Sequence, residues 1–200
     1  MIAALRTLNS ITHRLRSRLA ATEGSQIVEF AVSLPLLMLL AVGIYDFGNA
    51  YNLKQKLTNA AREGARMGAS QPTNDLSNAP PPSVLAVRDV VDHYLQTARI
   101  NDCGLGSATA TAVGAASPWA WTFTSACSGI GNLVLTVNRG NVFTSAVITV
   151  GGQPVKVIST QVTLGYPYRW QFNRVASLLG ATGFAGTSQL TVVSTMENQN

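Results

Sequence analysis

The nineteen residues from Ile27 to Tyr45 contain one charged side chain, Glu29. As a helix this run rises about 28 Å, close to the roughly 30 Å of a bilayer's hydrocarbon core. Only 12% of the whole chain is charged, a composition that leans toward a membrane or envelope protein. The net charge of +5 is unevenly placed. Four of the fourteen basic residues (Arg6, Arg14, Arg16 and Arg18) precede Gly24, against one acid, Glu23. That leaves ten basic and eight acidic groups in residues 25–200. No basic stripe is interleaved with aromatics, so nucleic acid is not an expected partner. Arginines before the apolar run place the N-terminus in the cytoplasm and residues 46–200 outside, with the lipid bilayer as the first partner. Two competitors stay open. Leu5, Leu8, Ile11, Leu15 and Leu19 at helical spacing, with arginines between, also suit a transit peptide, and Gly43 to Ala50 offers small residues for signal cleavage.

Helical patterning does not stop at Tyr45. Asp46, Asn49, Lys54, Lys56 and Arg62 alternate with Ala50, Leu53, Leu57, Ala61 and Gly64, and no turn signal precedes Gln71-Pro72. The pattern predicts one helix over about 26–69, half in lipid and half outside. Pro35 removes a backbone donor within it and predicts a kink near 31–35. Ala60, Gly64 and Gly68 stand four apart and form a packing stripe, for the chain's own domain or a neighbour. Glu63 and Arg66 read as an exposed pair.

Residues 70–82, with Pro80-Pro81-Pro82, read as a linker, and Ser83 as the cap of a helix over about 84–98. Its apolar face is Val84, Val87, Val90 or Val91, Tyr94, Leu95 and Ala98. Past Asn101 the period becomes two. Trp119, Trp121 and Phe123 share a strand face, either buried or a docking surface. Leu133–Val137, Val142–Val150, Val155–Leu164 and Leu190–Thr195 read as further strands. Arg139-Gly140 and Gly151-Gly152 read as hairpin turns. Tyr166-Pro-Tyr-Arg-Trp170 and a short helix over about 172–180, ended by Gly180 and Gly183, fall before the last strand. The expected fold is α+β: a long N-terminal transmembrane helix continuing into an outer domain, an antiparallel meander sheet packed by helices. The expected organisation is a basic leader over 1–24, the helix over 25–69, the linker over 70–82 and the outer domain over 83–200.

Motifs for chemistry are sparse. Asp89 and His93 have metal-ligand spacing without a third ligand, so a solvated helix face is the simpler reading and no metal is expected. There is no nucleophile elbow, phosphate loop or zinc-protease motif, and no catalytic residue or cofactor is assigned. Cys103 and Cys127 either pair, as an oxidising compartment favours, or stay as free buried thiols. A bond between them would contribute on the order of 3 kcal/mol by chain entropy.

Gly24, then four residues, then Glu29-Phe30 and a long apolar helix resemble the processing site of type IV prepilins. Glu29-Phe-Ala-Val-Ser-Leu-Pro-Leu-Leu, Gly43-Ile-Tyr-Asp-Phe-Gly48 and Leu57-Thr-Asn-Ala-Ala-Arg-Glu-Gly-Ala-Arg66 resemble the TadE-like family of tight-adherence (Flp) pilus assembly, of which TadF-like proteins are close in size. Val162-Thr-Leu-Gly-Tyr-Pro-Tyr-Arg169 and Leu190-Thr-Val-Val-Ser-Thr-Met196 resemble that family's closing strands. TadG-like proteins share the helix but carry a von Willebrand-type domain, for which this chain is too short. The resemblance implies a non-enzymatic pseudopilin or minor pilin, cleaved after Gly24 by a prepilin peptidase. It would sit in the bacterial inner membrane with its domain in the periplasm, or enter the pilus. Gly24, Ser25, Glu29 and Phe30 would form the processing site. Glu29, Pro35, Asp46, Ala60, Gly64 and Gly68 would carry assembly and packing. Partners would be the peptidase, other Tad pilins and pseudopilins, and the inner-membrane assembly platform. In the family's logic Glu29 pairs with the Ser25 amine of a neighbour; the alternative is a carboxylate that snorkels to the headgroups, alone or until assembly. The rival reading is a single-pass anchored enzyme or binding receptor with an unprocessed anchor.

Overall fold

The computed structural model describes residues 22–77, 79–150, 153–173 and 186–199. The basic leader up to residue 21, the Gly151-Gly152 turn, and the short helix expected over about 172–180 beyond Asn173, with Gly180 and Gly183, lie outside the described residues.

One helix, α1, runs unbroken over Thr22–Ser70 with Pro35 inside it. Its two halves meet different surroundings. Side chains from Gly24 to Met38 are all exposed, and the first buried residue is Asp46. Beyond it Ala50, Leu57, Ala60, Ala61, Gly64, Ala65, Gly68 and Ala69 are buried, at spacings of three and four. The helix is therefore a free apolar rod at one end and a core element at the other.

The second helix, α2, spans Pro82–Thr97 and buries Val84, Val87, Val91 and Leu95. Ser83 does not cap it. The N-cap is Pro81, and Pro82 occupies the first helical position, where its missing N–H is no loss. The capping acceptor comes from the preceding segment instead: the Ser83 backbone N–H donates to Asp75 Oδ2 at 2.7 Å. At the other end Arg99 takes the left-handed conformation (φ 57°), and Ile100 N–H bonds back to the Leu95 carbonyl at 2.9 Å. That is the backbone closure usually given to glycine.

A five-stranded antiparallel sheet follows in the order β1-β2-β3-β4-β5. Its strands are β1 (Ala110–Ala112), β2 (Ala120–Cys127), β3 (Gly131–Val150), β4 (Gln153–Arg169) and β5 (Thr187–Glu197). Register aligns one row across the four long strands: Phe123, Leu135, Leu164 and Val192. All four are buried and join the valines of α2 and the alanines of α1 in one core. The fold is the expected α+β meander. Trp119 falls outside β2, in the turn before it, so only Trp121 and Phe123 share the strand face.

The expected turn at Arg139-Gly140 is not a turn. β3 continues through it, and the chain makes a bulge: Asn138 pairs with Gln161 and Asn141 with Ser159, three steps against two. Gly140 is required there because a Cβ would overlap the Trp119 ring. Arg139 is fully buried. Its Nη2 donates to the Gln71 carbonyl at 2.7 Å and its Nη1 to the Pro72 carbonyl at 2.9 Å. Asp75 Oδ1 lies 3.7 Å from Nη1. Burial lowers the Arg139 pKa from its ordinary value, and the Asp75 charge opposes that pull. The guanidinium thus terminates α1, placing a cation just past the negative end of the helix dipole. The chain end joins the same knot: Gln199 N–H donates to the Ala69 carbonyl, and Asn198 Nδ2 to the Arg139 carbonyl. Cys103 and Cys127 are bonded to each other, Cα atoms 4.9 Å apart, tying the loop after α2 to the end of β2.

Replacing Arg139 with leucine strands Asp75 and two carbonyls without their buried partner. The expected loss is about 3–5 kcal/mol, read as a shifted midpoint in chemical denaturation of the full chain in detergent. A midpoint within error of the wild type would contradict this account of the α1 terminus.

Candidate anchoring and assembly segment

The residues expected to form a processing site lie together at the start of α1. Beyond the helix's own backbone, no described residue comes within 4 Å of where a Cβ on Gly24 would stand. Ser25 and Glu29 are four apart on one face, with Ser25 Oγ donating to Glu29 Oε1 at 3.4 Å. Phe30 is exposed. All four residues are exposed, so among the described residues the first turns of the helix present a small residue, a hydroxyl, a carboxylate and an aromatic ring. Pro35 lies above them inside the exposed half. Its ring leaves the Ala31 carbonyl without its usual helical donor.

Asp46 belongs to a different place. It is fully buried at the point where the domain begins. Tyr168 Oη donates to its Oδ1 at 2.8 Å, and the Phe172 backbone N–H donates to its Oδ2 at 2.8 Å. Burial raises the Tyr168 pKa to about 12, with the hydrogen bond and charge of Asp46 adding to the shift. Around this contact, the rings of Phe47 and Trp170 sit 5.3 Å apart and those of Tyr168 and Trp170 4.9 Å apart, edge to face. Trp170 Nε1 donates to Ser188 Oγ at 2.8 Å. The segment read as lying between strands, Tyr166 to Trp170, is therefore the end of β4 and its exit, and it clamps the helix. The alternation of Tyr166, Tyr168 and Trp170 was the available signal, since residues two apart share a strand face.

Ala60, Gly64 and Gly68 face the chain's own domain. A Cβ on Gly64 would stand 2.7 Å from Val91 Cγ2, and one on Gly68 2.7 Å from Thr160 Cγ2. The stripe is filled by α2 and the sheet and is not open to a neighbour. Glu63 and Arg66 form their exposed pair at 3.0 Å.

Asp89 is held by Arg88 at 2.6 Å, and among the described residues no group of three or more His, Cys, Asp and Glu could hold a metal. Burial raises the Asp92 pKa, helped by Asp102 and opposed by the Gly106 N–H. Asp92 accepts from that N–H and from Gln96, which pins the loop after α2. A cavity of about 710 Å³ opens beyond the C-terminal end of α1, lined by Asn74, Leu76, Trp119, Ile158 and Glu197 over Arg139. No histidine or cysteine lines it, and its arginine is committed to the carbonyls of residues 71 and 72.

Tyr168→Phe removes a donor from a buried carboxylate, and the expected cost is about 1.5–3 kcal/mol. The raised pKa adds a pH signature. The folded tyrosine holds its proton more tightly than the unfolded one, whose pKa is near 10. Its contribution is complete below about pH 10 and is lost as pH rises through about 12. Denaturation midpoints measured from pH 8 to 12 should fall more in the wild type than in Tyr168→Phe, and equal declines would reject the coupling. Separately, Gly64→Val forces a side chain into Val91, and thermal melts should report a loss of about 1–3 kcal/mol. An unchanged melting temperature would mean that this face is looser than described.

Compared with known families, residues 24–66 match the model described as TadE-like protein. The match starts at Gly24, takes in the exposed half of α1 and ends within its packed half. No curated protein and no solved structure matches the chain.

Proposed function

We propose that the chain, whose residues 24–66 are a TadE-like segment, is a pseudopilin or minor pilin in assembly of a Tad (Flp) type IV pilus, matured by a prepilin peptidase. The observation that carries this reading is the division of α1. Its first half is apolar, exposed and long enough to cross a membrane, and it begins at a glycine that no other described residue crowds. The arginines before Gly24 support a cytoplasmic N-terminus. On that topology the peptidase meets Gly24 from the cytoplasmic side, and the sheet and α2 stand in the periplasm, where the Cys103–Cys127 bond is chemically at home.

Cleavage after Gly24 makes Ser25 the new N-terminus. Its amine, with an ordinary pKa near 8, is mostly positive at neutral pH. A carboxylate held in an apolar helix costs about 2.5–3.5 kcal/mol at mid-membrane and less near the edge. Pairing Glu29 of one subunit with the Ser25 amine of the next offsets that cost only when the two helices are in register. The exposed half of α1 is then both anchor and assembly surface. Its partners are other Tad pilins and pseudopilins and the inner-membrane assembly platform.

Intact mass in cells with and without the peptidase tests the reading. Peptidase-positive cells should yield a chain lacking residues 1–24. Gly24→Ala should block that loss without altering the melting temperature, because the added methyl meets nothing. A full-length mature chain in peptidase-positive cells would defeat the processing claim. Glu29→Ala should insert normally and fail to support piliation, and unchanged piliation would remove the pairing role.

A further inference from the structure

The helix changes surroundings at Asp46, and this places a particular patch of the domain. If Ile27–Tyr45 fills the hydrocarbon, residues 46–50 rise about 7 Å above its edge. The headgroup layer on each side is about 5–7 Å deep. Phe47 therefore lies within that layer. Trp170 is within about 5 Å of that height, because its ring sits 5.3 Å from that of Phe47. Phe47 and Tyr51 are each about two-thirds exposed, and Arg169 beside Trp170 is exposed as well. Large exposed aromatics with an adjacent cation are unusual on a water-facing surface and ordinary at a membrane interface, where an amphipathic ring meets headgroups. Trp170 is also held rigidly, by Ser188 through its indole N–H and by Tyr168 against its ring. The clamp on Asp46 fixes this patch relative to the helix, so it cannot swing away from the lipid.

We infer that the base of the domain, formed by Phe47, Arg169 and Trp170, is seated in the headgroup layer of the bilayer that α1 crosses. The domain is thus docked on the lipid surface in one orientation, with Trp170 as its interfacial anchor and Arg169 reaching lipid phosphates. The cavity at the other end of the packed half of α1 then faces away from the membrane. This rests on the reading of α1 as a membrane span.

The test uses the full chain in vesicles of phosphatidylethanolamine and phosphatidylglycerol that carry a nitroxide either near the headgroup or near the chain end. The shallow nitroxide should quench about a third of the tryptophan emission, one of three tryptophans, and the deep one clearly less. Trp170→Phe should abolish the difference between the two quenchers. Arg169→Glu, which leaves the buried partners in place, should cut shallow quenching by about half. Flotation of the vesicles after an alkaline wash reports the anchor separately. Chain that floats but shows no shallow quenching overturns the headgroup contact alone, and so does quenching that survives Trp170→Phe. Quenching that rises with protein density and ignores the lipid nitroxide assigns the patch to a neighbouring copy and overturns the inference too. Chain that fails to float overturns the span and this inference with it.

Discussion

Close approach of α1 to the domain governs the rest of the architecture. Gly64 and Gly68 leave no room for even a methyl group between the helix and Val91, Val87 or Thr160. With Ala60, Ala61 and Ala65 they make the outer half of the helix a flat surface on which α2 and the sheet lie directly. A helix needs tertiary burial more than propensity to be stable. Here that burial is confined to one half, which leaves the other half free for a second solvent. The small residues thus let one helix belong to a protein core and to an apolar phase without a joint between them.

Two polar contacts bracket the packed half. Asp46 marks its start, with Tyr168 and the Phe172 N–H as donors. Arg139 marks its end, with the carbonyls of Gln71 and Pro72 as acceptors. Each is a buried charge hydrogen-bonded by groups distant in sequence. Such pairs add little net stability over apolar packing, but their removal is costly, and they fix geometry. Together they keep the sheet from sliding or rotating along the helix. On the proposed function that stiffness matters, because the domain then follows wherever the helix is placed.

Hydropathy made the anchor legible, since a nineteen-residue apolar run needs no knowledge of tertiary contacts. The small-residue stripe, the α2 face and the meander were legible for the same local reasons: spacings of four, three-and-four, and two. Arg139 and Asp46 were not. Arg139-Gly140 carries turn chemistry, yet the bulge it forms is set by Trp119 above Gly140 and by acceptors 67 and 68 residues earlier. Asp46 read as one polar residue among several and, by resemblance, as an assembly residue, whereas its partner Tyr168 stands 122 residues away. Ser83 was misread because a serine before a helix is the usual cap, whereas three prolines and Asp75 had already supplied the start. Local pattern gives elements, and buried polar partners that span the chain have no local signature.

The outer half of α1 is an integral part of the domain's core and not a stalk beneath it. Amide hydrogen exchange on the full chain in lipid nanodiscs addresses this directly. The amides of residues 57–68 should open with the same free energy as those of β4 over 160–166, as one cooperative unit. Exchange in residues 57–68 about tenfold faster or more than in β4 would mean that the helix opens independently, and the account would be wrong.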